Sequence, residues 1–245
     1  MADEGLIPRL TTWVETSGRA LELRTARSLR RASTRLALQE VTYEDVETGT
    51  RRPGDVLAVY QYPKDGTPAA VSLEVAVECK AGKDHPWVAF YDEGRFGPAE
   101  MEYYFLTDGK WHAEYRAPFM QAWHSSSVLF NDRVATHAVS AFTRDGNNQA
   151  HDAVRQAMSF ARARAESARG SEGTPFTAVL PVVVTQAPLF TCELSRTGEV
   201  LFKAVERFDV WLYYSKEGAA RVFVMSDAAV ADLAAALDSL HPYGT

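Results

Sequence analysis

Glu78 and Lys80 stand two positions apart near the end of an alternating run, and Asp55 opens the run before it. Residues 71–80 read VSLEVAVECK. An extended chain sends successive side chains to opposite faces of a sheet. Val71, Leu73, Val75, Val77 and Cys79 therefore form one apolar face, while Glu74, Ala76, Glu78 and Lys80 point the other way. Residues 55–62 (DVLAVYQY) form a second run, and the stretch PKDGTP between the two is a turn signal. A hairpin of these strands carries Asp55 to the Glu78/Lys80 end. Two carboxylates and an amine converging there suit a divalent metal ion and a polarised water.

Gly54-Asp55 followed by Glu78-x-Lys80 resembles the signature of the PD-(D/E)xK superfamily of metal-dependent nucleases, the restriction-endonuclease-like and RecB-like proteins. Upstream, residues 18–29 (GRALELRTARSL) are similar to the first helix of that fold, whose glutamate would be Glu22. Residues 43–55 (YEDVETGTRRPGD) are similar to the strand and turn before its metal-binding aspartate. Downstream, Gln156-Ala-Met-Ser-Phe160 resembles the QxxxY signature of the RecB-like branch. The likeness covers residues 18–83 and 149–187. It departs in two places: Gly54 stands where the signature proline would be, and Phe160 lacks the tyrosine hydroxyl. Neither departure removes a metal ligand.

The resemblance implies a mixed central β-sheet flanked by helices, in one α/β domain over 1–245 with a β-rich, aromatic insertion at 93–148. It implies Mg²⁺, with Mn²⁺ as a substitute, held by Asp55, Glu78 and the backbone carbonyl of Cys79. Glu22 would reach a second ion or its water shell, and Gln156 would bond phosphate or a metal-bound water. Lys80 matches the lysine thought to orient or deprotonate the attacking water. Its ammonium, beside two carboxylates, stays charged in the free protein, so electrostatic stabilisation of the transition state is its safer role. The implied activity is phosphodiester hydrolysis, in DNA first. The alternative is a module of the same fold that binds nucleic acid or a protein partner without cutting. A homodimer is a further option.

An acid-x-Lys pattern alone is weak, and Asp108-Gly109-Lys110 repeats it. Asp-Gly is a turn dipeptide, so that copy belongs to a loop. No GxSxG or glycine-rich phosphate loop occurs, and His85, His112, His137 and His151 lack ligand spacing. Cys79 and Cys192 are too few for a disulfide framework. With no basic, apolar leader and no long apolar run, the chain reads as cytoplasmic, with no membrane partner.

A net charge of −6 excludes a protein that coats nucleic acid generally. Positive charge is nevertheless concentrated at 19–35, which holds six arginines. Leu21, Thr25, Leu29, Ala32 and Leu36 predict an amphipathic helix from 17 to 38, capped by Thr16 or Ser17. Arg24, Arg27 and Arg31 on that helix would meet phosphates.

Strands are expected at 40–47, 55–62, 71–80 and 87–92, with hairpin strands at 101–106 and 111–116. Residues 85–123 carry 11 of the 27 aromatics, which suits either a base-stacking platform or a small aromatic core. Residues 149–168 predict a helix whose start, near Asn147 and Asn148, is placed to meet a phosphate. The apolar run 176–187 predicts a strand buried on both faces, in which Pro181 suggests a bulge or an edge. Strands at 189–195, 199–206, 210–214 and 221–225 precede a helix from Ser226 to Leu240, capped by Ser226 or Asp227.

Overall fold

A computed structural model describes residues 5–31, 34–62, 71–91, 106–107, 113–131, 133–143, 147–169, 176–215 and 218–240. Helices α1 (Leu6–Thr16) and α2 (Arg19–Leu29) lead into strands β1 (Thr34–Glu44), β2 (Arg51–Tyr62), β3 (Val71–Lys80) and β4 (Trp87–Phe90). Then come β5 (Leu106–Thr107), α3 (Ala113–His124), β6 (His137–Ser140) and α4 (Gln149–Arg169). The last part holds β7 (Phe176–Thr185), β8 (Leu189–Leu194), β9 (Val200–Val205), β10 (Arg207–Ser215), β11 (Gly218–Ser226), a 3-10 turn and α5 (Val230–Asp238).

The fold is mixed α/β. Its larger sheet runs β1-β2-β3-β7-β11-β10, with β5 on β7, and its smaller sheet runs β6-β4-β8-β9. The pairs β3–β7 and β7–β11 are parallel and the remaining neighbours in the larger sheet antiparallel. Val56, Ala58, Val75 and Val77 face one core with α2, α3 and α5. Leu57, Val59 and Ala76 face a second with α4 and the smaller sheet. β3 alternates as expected, but both of its faces are buried. α4 forms because Ala150, Ala153, Val154, Ala157, Met158, Ala161 and Ala165 recur at helical spacing and make one apolar stripe.

Several expected elements are placed differently. The helix expected over 17–38 ends at Leu29, whose carbonyl accepts from Tyr60 Oη at 2.6 Å and Thr34 Oγ1 at 2.9 Å. From Thr34 the chain pairs with β2 instead, because nine of the eleven residues of β1 gain a ladder partner there. Neither Thr16 nor Ser17 caps α2. Gly18 does, at φ +86°, a left-handed conformation that glycine adopts without strain. α1 had no counterpart in the periodicity.

The strand expected at 111–116 is replaced from Ala113 by α3, which carries Pro118 in its interior. Residues 101–105 and 108–112 lie outside the described residues. Phe119 and Trp123 of α3 are fully buried in the α2/α5 core, so neither is available to stack bases. Pro181 sits in the middle of the sheet with no bulge in its register against β3. It falls between the two short ladders on the other edge of β7, β5 at Ala178–Val179 and β11 from Val182, where a missing N–H is tolerated. Among the described residues no helix is long and apolar enough to cross a membrane.

Candidate active site at the carboxyl ends of the parallel strands

The antiparallel ladder of β2 and β3 pairs Val56 with Val77. Just beyond that pair, Asp55 and Glu78 lie at the end of the ladder, close enough that the charge of Asp55 acts on Glu78. Asp55 Oδ2 accepts the backbone N–H of Cys79 at 2.6 Å. Lys80 Nζ donates to Glu78 Oε1 at 2.7 Å and to Gln156 Oε1 of α4 at 2.9 Å. The Lys80 carbonyl accepts from Gln186 N and Thr185 Oγ1, both at 3.1 Å, which pins the strand end. β3, β7 and β11 all terminate here by their carboxyl ends, the place where open α/β sheets leave a crevice.

Glu22 reaches the same end from the other layer. It lies in the first turn of α2, is buried, and accepts from Arg19 Nη1 at 3.0 Å. Arg19 also pairs with Glu40. Glu40 had no sequence signal at all. Gln39 pairs with Val56 and Val41 with Gly54, so Glu40 falls opposite Asp55 on the far side of β2. Its φ of +53° is in the left-handed region, a strained conformation for glutamate.

Four carboxylates, Glu22, Glu40, Asp55 and Glu78, thus share two cations, Arg19 and Lys80. Glu78 is pushed up to about 7, chiefly by burial and then by the charge of Asp55, with Lys80 opposing. Burial also raises Asp55, against the Cys79 N–H, Lys80 and Arg19. Glu22 is raised by burial and by Asp55, with Arg19 opposing. Glu74, on the same face of β3, makes the contrast. Arg164 of α4 holds it through two bonds, Nε at 2.7 Å and Nη2 at 2.9 Å. One glutamate of this strand is matched by a guanidinium fork; the other is left beside a second acid.

No family model matches this chain, and no curated protein or solved structure is significantly similar to it. Its chemistry has to be read from its own residues.

Those residues gather part of the expected set. Asp55, Glu78, Lys80, Gln156 and Glu22 converge. The part of Cys79 that contacts Asp55 is its amide, whereas its carbonyl was the expected ligand. The Cys79 thiol packs near Thr25 Oγ1 at 3.8 Å, and burial pushes its pKa well up. Among the described residues, no three His, Cys, Asp or Glu side chains are grouped as a ready ligand set. Two facing carboxylates are still enough for Mg²⁺, which keeps several waters. Their crowding by burial and by each other is what a divalent cation would relieve.

The three arginines are placed on different parts of the chain. Arg24 is tied to Glu15 at 3.2 Å and to Asp227 at 3.2 Å, joining α1, α2 and the turn before α5. Arg27 lies in the last turn of α2, about 7–8 Å along the axis from Glu22. Arg31 lies beyond the helix altogether. Among the described residues, the cations paired with Glu22, Glu40 and Glu78 are Arg19 and Lys80. The start of α4 does not offer its amides either: Ala150 N donates to Ser140 Oγ at 2.9 Å and His151 N to Asn148 Oδ1 at 3.3 Å.

A polar cleft of about 620 Å³ opens beside α4 instead, lined by Arg52, His151, Arg155, Gln156, Ser159 and Arg162 among others. Gln156 is both a wall of this cleft and the partner of Lys80. Sequence reasoning missed the cleft because its cations come from α4 and β2, not from one run.

The two departures from the family signature turn out to touch. A Cβ on Gly54 would lie 2.4–2.7 Å from three ring atoms of Phe160. Tyr43 stacks on that ring, with centroids 4.9 Å apart. Ser159, next to Phe160, donates to Asp45 Oδ2 at 2.8 Å in the β1–β2 turn.

Proposed function

We propose that this chain is a Mg²⁺-dependent nuclease of the restriction-endonuclease-like class, hydrolysing phosphodiester bonds in DNA. The observation that carries the reading is Asp55, held by the Cys79 amide, within electrostatic reach of Glu78 at the open ends of parallel strands, with Lys80 bridging Glu78 and Gln156. When bound, Mg²⁺ would neutralise charge on the phosphate and make its water more acidic. Asp55 and Glu78 would hold it, and Glu22 would reach its water shell.

The remaining work falls to side chains already in place. Lys80 presents an ammonium fixed at two points, so its unused proton can be directed at a phosphoryl oxygen or an attacking water. Gln156 holds that ammonium on the cleft side, where the phosphate backbone would lie along Arg155 and Arg52. Arg19 keeps Glu22 and Glu40 from repelling Asp55 out of position. The substrate is steered by local cations and repelled elsewhere by the net charge, so binding should weaken steeply with salt.

The test is a cleavage assay on single- and double-stranded DNA and RNA with Mg²⁺ or Mn²⁺, run beside an EDTA control. Lys80→Ala should lose cleavage by a hundredfold or more, the scale for removing one transition-state donor, while affinity stays nearly unchanged. One observation favours the non-cutting module: Lys80 Nζ already sits 2.7 Å from Glu78, where an ammonium can serve as the only counter-charge. Wild-type protein that binds nucleic acid but cuts none of these substrates would establish that second reading.

A further inference from the structure

β8 and β9 form a hairpin whose outer strand is covered by none of the described residues. Ser195 N donates to Glu199 O at 2.8 Å, and Gly198 at φ +83° closes the turn. Every residue from Val200 to Ala204 is exposed, on both faces of the strand. Val200, Leu201 and Phe202 are 57%, 46% and 62% exposed, and Leu194 across the hairpin is 61% exposed. Among the described residues no strand pairs with the outer edge of β9. Such an edge is a template for another strand, and a run of apolar side chains on it is ordinarily blunted or used.

The backbone parity says which residues can serve that edge. Bonded and non-bonded pairs alternate along an antiparallel ladder. Starting from the bonded pair Ser195/Glu199, the bonded pairs toward β8 are Glu193/Leu201 and Thr191/Lys203. The amide and carbonyl groups of Val200, Phe202 and Ala204 therefore point outward.

We propose that β9 pairs antiparallel with β9 of a second copy of this chain, about a two-fold axis at Leu201. In that register Val200 lies opposite Phe202 of the second copy, and Phe202 opposite its Val200, so each pair exchanges both outward backbone bonds. Leu201 meets its own counterpart. Glu199 lies opposite Lys203, twice by symmetry, on the face that carries Leu201. Shifting the register by one parity-allowed step in one direction puts Lys203 opposite Leu201. Two steps in that direction put Lys203 opposite Lys203. Only the register centred on Leu201 matches both charges, which is why the occupant is a copy of the same strand. The interface is isologous, as a two-fold dimer requires. It also extends the four-stranded sheet to eight strands and lays Leu194, Val200 and Phe202 beside those of the partner. This inference does not rest on the proposed chemistry, and neither outcome bears on cleavage.

Sedimentation velocity from micromolar to several hundred micromolar protein reads the result. The wild type should show a concentration-dependent dimer. Glu199→Lys alone sets lysine against lysine, and Lys203→Glu alone sets glutamate against glutamate, so each should be monomeric. An equimolar mixture of the two single variants should form a heterodimer, because each supplies the charges the other lacks. The double variant should again be a homodimer. Unchanged melting temperatures verify that the variants are folded, and Leu201→Arg at the two-fold axis should also be monomeric. A wild type that stays monomeric throughout overturns the proposal, as do single variants that still dimerise. A mixture that fails to associate overturns the register.

Discussion

Two ionic clusters are built into the larger sheet, and they are balanced in opposite senses. At β10 and β11, Asp209 is fully buried and accepts from Arg207 Nε at 3.1 Å and Nη2 at 3.3 Å. Arg221 Nη2 lies 3.8 Å from the same carboxylate and donates to Asn131 O at 2.7 Å. Arg207 stacks over Phe223 at 4.3 Å. One acid thus faces two guanidinium groups in a place closed to water. At the ends of β2 and β3, four acids face two cations at the rim of a cleft. Burial raises both Asp209 and Glu78, and pushes Arg221 down to about 9. A raised carboxylate therefore does not mark a site by itself. An excess of carboxylate that stays within reach of solvent does, because it leaves a charge for a ligand to complete.

The largest test of this difference is Asp209→Ala. It strands two arginines, one of them almost wholly buried, and should cost about 3–5 kcal/mol in a urea titration. The corresponding change at the other cluster should go the other way. Glu78 holds its proton more tightly when folded, at about 7 against an ordinary 4.5. Its contribution to stability is therefore greatest below pH 4.5, falls as pH rises to 7, and is flat above. Between those limits the loss is of order 1–3 kcal/mol. In EDTA, Glu78→Gln should remove this slope and melt higher than the wild type at pH 8. A variant that melts lower there would show that Lys80 already balances the site.

A smaller effect is expected behind the carboxylates. Gly54→Ala should cost about 1–3 kcal/mol by pressing on Phe160, and less in a Phe160→Leu background. Simple additivity in that double-mutant cycle would mean that the ring moves aside freely. The smallest shift belongs to Mg²⁺. At about ten times its dissociation constant, the ion should stabilise the wild type by ~1.4 kcal/mol, read as a rise in melting temperature. Glu78→Gln should abolish the rise, and Asp209→Asn should leave it intact.

The strands that carry the acids were legible because alternation is a local signal: β3 begins and ends where the pattern does, and its two faces were assigned correctly. β7 was legible for the same reason, as an apolar run too short and too branched for a helix. What failed depended on partners distant in sequence. Residues 30–38 carry a helical spacing as well as a strand alternation, and only the ladder with β2 selects between them. Glu40 reaches the site through register and an unusual φ, neither of which its neighbours announce. Arg24, Arg27 and Arg31 looked like one face, but a carboxylate claims Arg24 and the helix ends before Arg31. α3 hid behind Pro118, which ordinarily argues against a helix interior.

The contact between Gly54 and Phe160 limits how this sequence can drift. The bare backbone at one position and the ring at the other fill the same space, so neither change is neutral without its partner. While the ring stands where it does, a side chain at 54 has to displace it. Shrinking residue 160 to make that room would leave Tyr43 without its stacking partner. The two positions are coupled by shape, one residue before a candidate metal ligand.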